Sequence, residues 1–211
     1  MPVYVIIIGT EGQNVKSCPA YREEISMKKE NQSIYRITFT AVMAAIVCVV
    51  TFLRFPLLGS KVHFANAMCL LSGMLLGPVF GGLAAGLGSA LYDALFGGYD
   101  LANCLITFVS KFAMAWVCVM LAQPKKEGKG LHARVVLASI AGALSYVVLY
   151  MLKTFIYQRF VYGYPMDTTW ATMLSKLPAS LINAVAAFIA APILYAAVRP
   201  ALKNAGLLKK L

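Results

Sequence analysis

Acidic residues are scarce in this chain. Eight aspartates and glutamates stand against 19 lysines and arginines, and charged residues make up only 13% of its 211 positions. An ordinary soluble domain carries about a quarter of its residues as charge, so that class is excluded. Histidine is nearly absent: His63 and His132 are far apart, and two isolated histidines make no metal site. Five cysteines, Cys18, Cys48, Cys69, Cys104 and Cys118, show no CxxC or other metal spacing. The last four lie in apolar segments, where a free thiol acts as a small packing residue. No HExxH, GxSxG, phosphate-binding loop or paired-carboxylate pattern occurs. Nothing in the sequence therefore supports catalysis or a bound cofactor, and any ATP-driven step needs a nucleotide-binding part on another chain.

What the chain has in abundance is apolar surface: 60% of its residues are hydrophobic and the mean hydropathy is +0.74. The reading is an all-α, polytopic membrane protein. A bilayer core about 30 Å thick needs roughly 20 apolar residues per helix. Six helices are predicted, at about 34–54, 63–76, 79–96, 103–122, 133–157 and 173–198, the second of them short. Gly77-Pro78 separates the second and third, because proline lacks an N–H and disfavours helix at the residue before it. Together the six use most of the chain and leave no room for a second soluble domain. Residues 1–27 read differently. Their apolar run is very short, no basic region precedes it and no cleavage site follows, which makes a poor signal peptide. Met27-Lys28-Lys29 looks like a natural start, so 1–27 is expected to be a disordered or dispensable extension. The six-helix domain is then expected over 28–205, with a cytoplasmic tail at 206–211.

The net charge of +11 raises nucleic acid as a partner, but the basic residues sit in short connections and at the ends, as membrane orientation requires. No nucleic-acid partner is expected. Lys28, Lys29 and Arg36 precede the first helix. Lys125, Lys126, Lys129 and Arg134 lie between the fourth and fifth, and Arg199, Lys203, Lys209 and Lys210 follow the sixth. Six crossings put all of these on one side, so both termini are expected inside. The outer loops are then FPLLGSKVH, GGYDLAN and QRFVYGYPMDTTW, carrying Tyr99, Asp100, Tyr162, Tyr164, Asp167 and Trp170. For any one tyrosine or tryptophan, an interfacial aromatic belt is an equal alternative. Their combination with Asp and Asn in three converging loops favours a ligand mouth.

Small residues are arranged for contact. Gly82, Gly86 and Ala90 recur at four-residue spacing, with Gly81, Ala85 and Ser89 beside them, which predicts a central helix packed at close range. Ala41 and Ala45 repeat the spacing in the first helix. Internal packing is the default there, and a docking face for another membrane protein is the alternative.

Ionisable residues inside a membrane cost about 2.5–3.5 kcal/mol at a helix centre and mark function by default. Lys111, Lys153, Lys176 and Asp93 all fall in the outer half. Two alternatives compete: Lys153 and Lys176 could snorkel to the interface, and Asp93 could form a structural bridge with Lys111. Each charge has polar companions at helical spacing. Asn103 and Thr107 lead to Lys111, Tyr146 and Tyr150 lead to Lys153, and Ser180 and Asn183 follow Lys176. Three polar stripes suggest one shared outward cavity. The lysines suit an anionic or carbonyl-rich ligand, and the tyrosines with Trp170 suit a flat ring.

The stretches AVMAA at 41–45, KVHFANAMCLLSGMLLGPVFGGLAAGLGSALYD at 61–93, GYDLANCLITFVSK at 98–111 and the basic loop near 125–134 carry a family likeness. Over about 28–205 the chain resembles the S components of energy-coupling factor (ECF) transporters, the membrane vitamin-binding subunits of prokaryotic uptake systems. The resemblance implies a multi-pass protein of the plasma membrane that is not an enzyme. Its partners would be the lipid bilayer, a vitamin-like ligand, a transmembrane coupling subunit and two ATPase subunits. Ala41 and Ala45 would dock on the coupling subunit. The substrate site would lie near the outer face, drawing on Asn66, Asp93, Tyr99, Asn103, Lys111, Tyr146, Tyr150, Lys153, Trp170, Lys176 and Asn183. A metal cargo is disfavoured because the N-terminus offers no histidine. The KVHFAN…GP…YD pattern leans toward pyridoxine, hydroxymethylpyrimidine or pantothenate-like members. The competing readings are a self-sufficient secondary transporter or channel, which needs a through pathway and usually a repeated half, and an intramembrane enzyme or scaffold.

Overall fold

The computed structural model describes residues 19–57, 60–122 and 131–207. Helix α1 spans Pro19–Phe52. A short antiparallel hairpin follows, β1 at Arg54–Leu57 and β2 at Ser60–His63, with Arg54 opposite His63 and Phe55 opposite Val62. Then come α2 at Ala65–Leu76, α3 at Pro78–Tyr92, α4 at Leu101–Ala122, α5 at Leu131–Ile156 and α6 at Met166–Asn204. Both α3 and α5 end in one π-helical turn, at Asp93–Gly97 and Tyr157–Val161. Gly98 closes the first at φ 66°, and Gly163, one residue past the Tyr162 cap of the second, turns the chain at φ 68°, a region side-chain-bearing residues rarely enter.

The helical membrane architecture is the one the sequence implies, with three differences. First, α1 begins at Pro19 rather than 34. The residues before the membrane, PAYREEISMKKENQS, are polar but rich in good helix formers, so hydropathy marks only where the helix enters lipid. Residues 1–18, to which most of the expected extension belongs, lie outside the described residues, as do the loop lysines Lys125, Lys126 and Lys129 and the tail lysines Lys209 and Lys210. Second, α6 has 39 residues instead of the expected 173–198 and runs through Pro178, Pro192 and Pro200. Packing against neighbouring helices tolerates prolines that would end a helix in water. Third, the loop expected between the first two helices is the β-hairpin.

Among the described residues, five helical stretches are long and apolar enough to cross a membrane; α2 is the exception. Its 12 residues rise about 18 Å. Ten of them are buried, against α1, α3, α4 and α6, so α2 is the axis of the bundle rather than a span on its rim. Its Leu70 is closed to solvent, as are Val47, Met114 and Ala191 on the helices around it. The cysteines Cys48, Cys69, Cys104 and Cys118 are free and buried, in keeping with their reading as packing residues.

Helix α3 packs closely on three sides. A Cβ at Gly82 would meet the Phe112 ring at 2.8 Å, and one at Gly86 the Phe108 ring at 2.8 Å, both on α4. Gly81 lies against the backbone of Ser72 and Gly73 on α2, and Gly88 against the Ala44 carbonyl on α1. The inward face of α1 is thus Thr40, Met43, Ala44, Val47 and Thr51, while Ala41 and Ala45 are exposed. Internal packing, the default for those two alanines, does not occur.

Candidate functional site

A cavity of about 900 Å³ opens at one end of the bundle. Its wall is built from the end of α1, the hairpin, the end of α3, the start of α4, the end of α5 and the first half of α6. Among the described basic residues, Arg36, Arg134, Arg199 and Lys203 belong to the opposite ends of α1, α5 and α6, and with the basic connections of the sequence they orient the cavity outward under the positive-inside rule. Its size is at the upper end of small-molecule sites, roughly 300–1,000 Å³.

The recessed wall is organised around Lys111, 3% exposed on α4. Its Nζ donates to the side-chain oxygen of Asn66 on α2 and sits 3.9 Å from the centre of the Tyr146 ring on α5. A ring face carries partial negative charge and attracts the ammonium. Tyr150, one turn further along, stacks beside Tyr146 with centroids 6.1 Å apart. Helical spacing alone placed these groups on their faces, and packing of α2, α4 and α5 brought them together.

The mouth carries both signs of charge. Asp93 opens the π-helical turn after α3. Asp100 precedes α4 and caps it: the Asn103 backbone N–H donates to one carboxylate oxygen at 3.3 Å and the Asn103 side-chain amide to the other. Those bonds, the side-chain amide first, hold the exposed Asp100 carboxyl below the ordinary aspartate range. Lys153 lies 5.9 Å from the Tyr157 ring. Tyr157, Tyr162 and Tyr164 form a chain of rings at about 6 Å spacing.

The hairpin closes the side between α1 and α6. The His63 backbone N–H donates to the Asn183 side-chain oxygen at 2.8 Å, some five turns into α6. This depth accounts for the shortness of α2: the hairpin occupies the outer part of the path that a full helix would take. At the other strand, the Arg54 guanidinium lies 5.0 Å over Tyr92, whose ring meets Phe52 edge-on at 4.8 Å.

Nine of the eleven residues singled out from the sequence line this one cavity: Asp93, Tyr99, Asn103, Lys111, Tyr146, Tyr150, Lys153, Lys176 and Asn183. Two are placed differently. Trp170 is half-exposed at the start of α6 and does not line the cavity, because α6 begins at Met166 and puts it on the helix's outer side. Asn66 stands behind Lys111 rather than in the wall. The alternative bridge is not formed, since Lys111 binds the Asn66 amide instead of the Asp93 carboxylate. Lys153 and Lys176, for which snorkelling was the alternative, are half-buried and line the cavity. Sequence reasoning missed Arg54, Tyr92, Ser89, Tyr157 and Gln158 in the wall. Arg54 alone had a usable signal: an arginine on the outer side runs against the positive-inside distribution.

The chain matches the family model described as ECF-type riboflavin transporter, S component, over residues 31–200. It is also similar to a solved structure titled "Structure and mechanism of the S component of a bacterial ECF transporter", with a TM-score of 0.57 and 22% identity, covering 80% of this chain and 97% of that one. At that identity the likeness speaks for the fold alone. No curated protein sequence matches. A family match running from the middle of α1 into the last turns of α6, on a bundle that encloses a polar cavity at one end, means that this chain belongs to the family of S components of ECF-type riboflavin transporters.

Proposed function

We propose that this S component captures a vitamin or vitamin precursor from outside the cytoplasmic membrane of a prokaryote and passes it inward through a coupling subunit driven by two ATPase subunits. The observation that carries the reading is the cavity: about 900 Å³ of space lined by lysines, tyrosines and other polar side chains at the outer end of an otherwise apolar bundle. Its three lysines, Lys111, Lys153 and Lys176, favour an acceptor-rich or anionic ligand, and Tyr146, Tyr150 and Tyr157 favour a flat ring. The family description puts riboflavin first among ligands to test. Pyridoxine, hydroxymethylpyrimidine and pantothenate, toward which the sequence pattern leans, follow. The exposed pair Ala41 and Ala45 supports docking on the coupling subunit, since small residues let another helix approach closely.

A self-sufficient transporter or channel needs a path through the bundle. Among the described residues, the cavity wall reaches no deeper than about the middle of the helices, at Lys111 and Asn183, which favours capture over conduction.

The test is native mass spectrometry on the gently purified protein, followed by calorimetry with the four vitamins. One ligand bound at one-to-one stoichiometry with sub-micromolar affinity supports the proposal. No adduct and no binding would sink it. Ion-gradient-driven uptake by this chain alone in liposomes would replace it with the secondary-transporter reading.

A further inference from the structure

A lysine buried for structural reasons in a membrane bundle is normally matched by a carboxylate, because an unpaired ammonium away from water is costly. Lys111 is not matched in this way. Its partners are a neutral amide and a ring face, and its ammonium keeps donors beyond the one given to Asn66. Asn66 is 1% exposed, and its own side-chain nitrogen has no hydrogen-bond partner. Ser180 lines the same cavity from α6, is 3% exposed, and its hydroxyl also has none. Buried polar groups are nearly always satisfied, and each exception calls for an explanation. Here two orphaned groups and one cation with no directly bonded carboxylate come from three different helices, Asp93 acts on that cation only across the cavity, and Lys111 and Ser180 line the same cavity.

Resting on the reading of that cavity as a ligand site, we infer that Lys111 and Ser180 are a recessed donor pair for an acceptor-bearing edge of the ligand, either two ring carbonyls or a carboxylate, and that Asn66 is a positioning residue that aims Lys111 without neutralising it. The ligand completes the hydrogen bonding that the protein leaves open. An aspartate at position 66 would satisfy Lys111 internally and remove the reason for an acceptor to bind there. Asparagine keeps nearly the same shape and leaves the charge for the ligand.

The test uses the full chain in lipid nanodiscs with riboflavin, lumichrome, pantothenate and pyridoxine as probes. Riboflavin and lumichrome offer ring carbonyls, pantothenate a carboxylate, and pyridoxine neither. For whichever carbonyl or carboxylate probe binds, Ser180→Ala and Lys111→Met should each weaken binding by about tenfold, the scale of one hydrogen bond to a charged or buried group. Ser180→Ala should leave thermal stability unchanged, since the hydroxyl bonds to no protein group. Asn66→Asp should keep or raise stability while weakening binding by about tenfold. In the Lys111→Met background, Asn66→Ala should change affinity by less than about twofold, because a positioning residue acts only through its partner. A purely structural role would instead make affinity follow stability. The inference is overturned if Ser180→Ala and Lys111→Met both retain wild-type affinity, or if pyridoxine is the best ligand and Asn66→Asp leaves its binding intact. If none of the four binds the unaltered chain, the cavity reading fails and takes this one with it.

Discussion

The backbone N–H of His63 and the side-chain oxygen of Asn183 are joined at 2.8 Å, so a strand far away in sequence is pinned to the middle of α6. The bond holds the hairpin as one wall of the cavity. Asn183→Ala is expected to loosen residues 54–63. Amide exchange there should speed up in hydrogen–deuterium exchange, and the ligand off-rate should rise by about tenfold, the effect of losing roughly 1.4 kcal/mol of contact. Unchanged exchange in the hairpin would mean that the bond does not hold it.

If the proposed function holds, the exposed alanines of α1 separate capture from delivery. Ala41→Trp and Ala45→Trp should bind ligand with wild-type affinity, since neither residue lines the cavity, and should lose most uptake when reconstituted with the coupling and ATPase subunits. Full uptake with bulky residues at both positions would rule out this face as the docking surface.

Helix α3 tolerates no side chain where it meets the α2 backbone. Gly81→Val would drive a Cβ into the Ser72 carbonyl and Gly73, and backbone cannot swing aside as a side chain can. The expected loss is about 1–3 kcal/mol of stability, read as a lowered midpoint of thermal unfolding in detergent. Gly98→Ala, where a Cβ meets nothing within 4 Å, suffers only the strain of its backbone angle and should cost less.

Asp100 sets an acid limit on the mouth. Its carboxyl is held below the ordinary value by the Asn103 amide, so the cap contributes fully above the unfolded-state value near 3.8. The contribution fades as pH falls through the lower folded value. Ligand binding should therefore show no Asp100-dependent change between pH 5 and pH 8. Asn103→Ala should move the Asp100 titration upward toward the ordinary value, as followed by carbon-13 NMR of the carboxyl. An unmoved titration would contradict the assigned cause.

Much of this architecture was legible before folding, and the reasons are local. A 20-residue apolar run can only be a membrane helix, because lipid offers no partner for backbone N–H and C=O groups. Lysine and arginine placement orients the bundle. The stripes ending at Lys111, Lys153 and Asn183 follow from 3.6 residues per turn. The hairpin was not legible: Arg54–His63 has neither clean alternation nor a strong turn signal, and its shape depends on Asn183. The full length of α6 was not legible either: the expected 173–198 already ran through Pro178 and Pro192, but the helix continues at both ends to Met166 and Asn204, where polar residues dilute the hydropathy.

By itself, then, the amino-acid sequence determined the helices, their orientation, and which residues share a helix face, because periodicity and hydropathy act over a few neighbouring residues. Only the tertiary structure decided which faces meet. It set Asn66 behind Lys111, left Asp93 unpaired with that lysine, brought Arg54 onto Tyr92, placed Trp170 outside the wall, and turned Ala41 and Ala45 outward. Each of these relations joins residues on different elements or depends on how one helix lies against another, and only close packing of whole helices selects among the many pairings that the same faces allow.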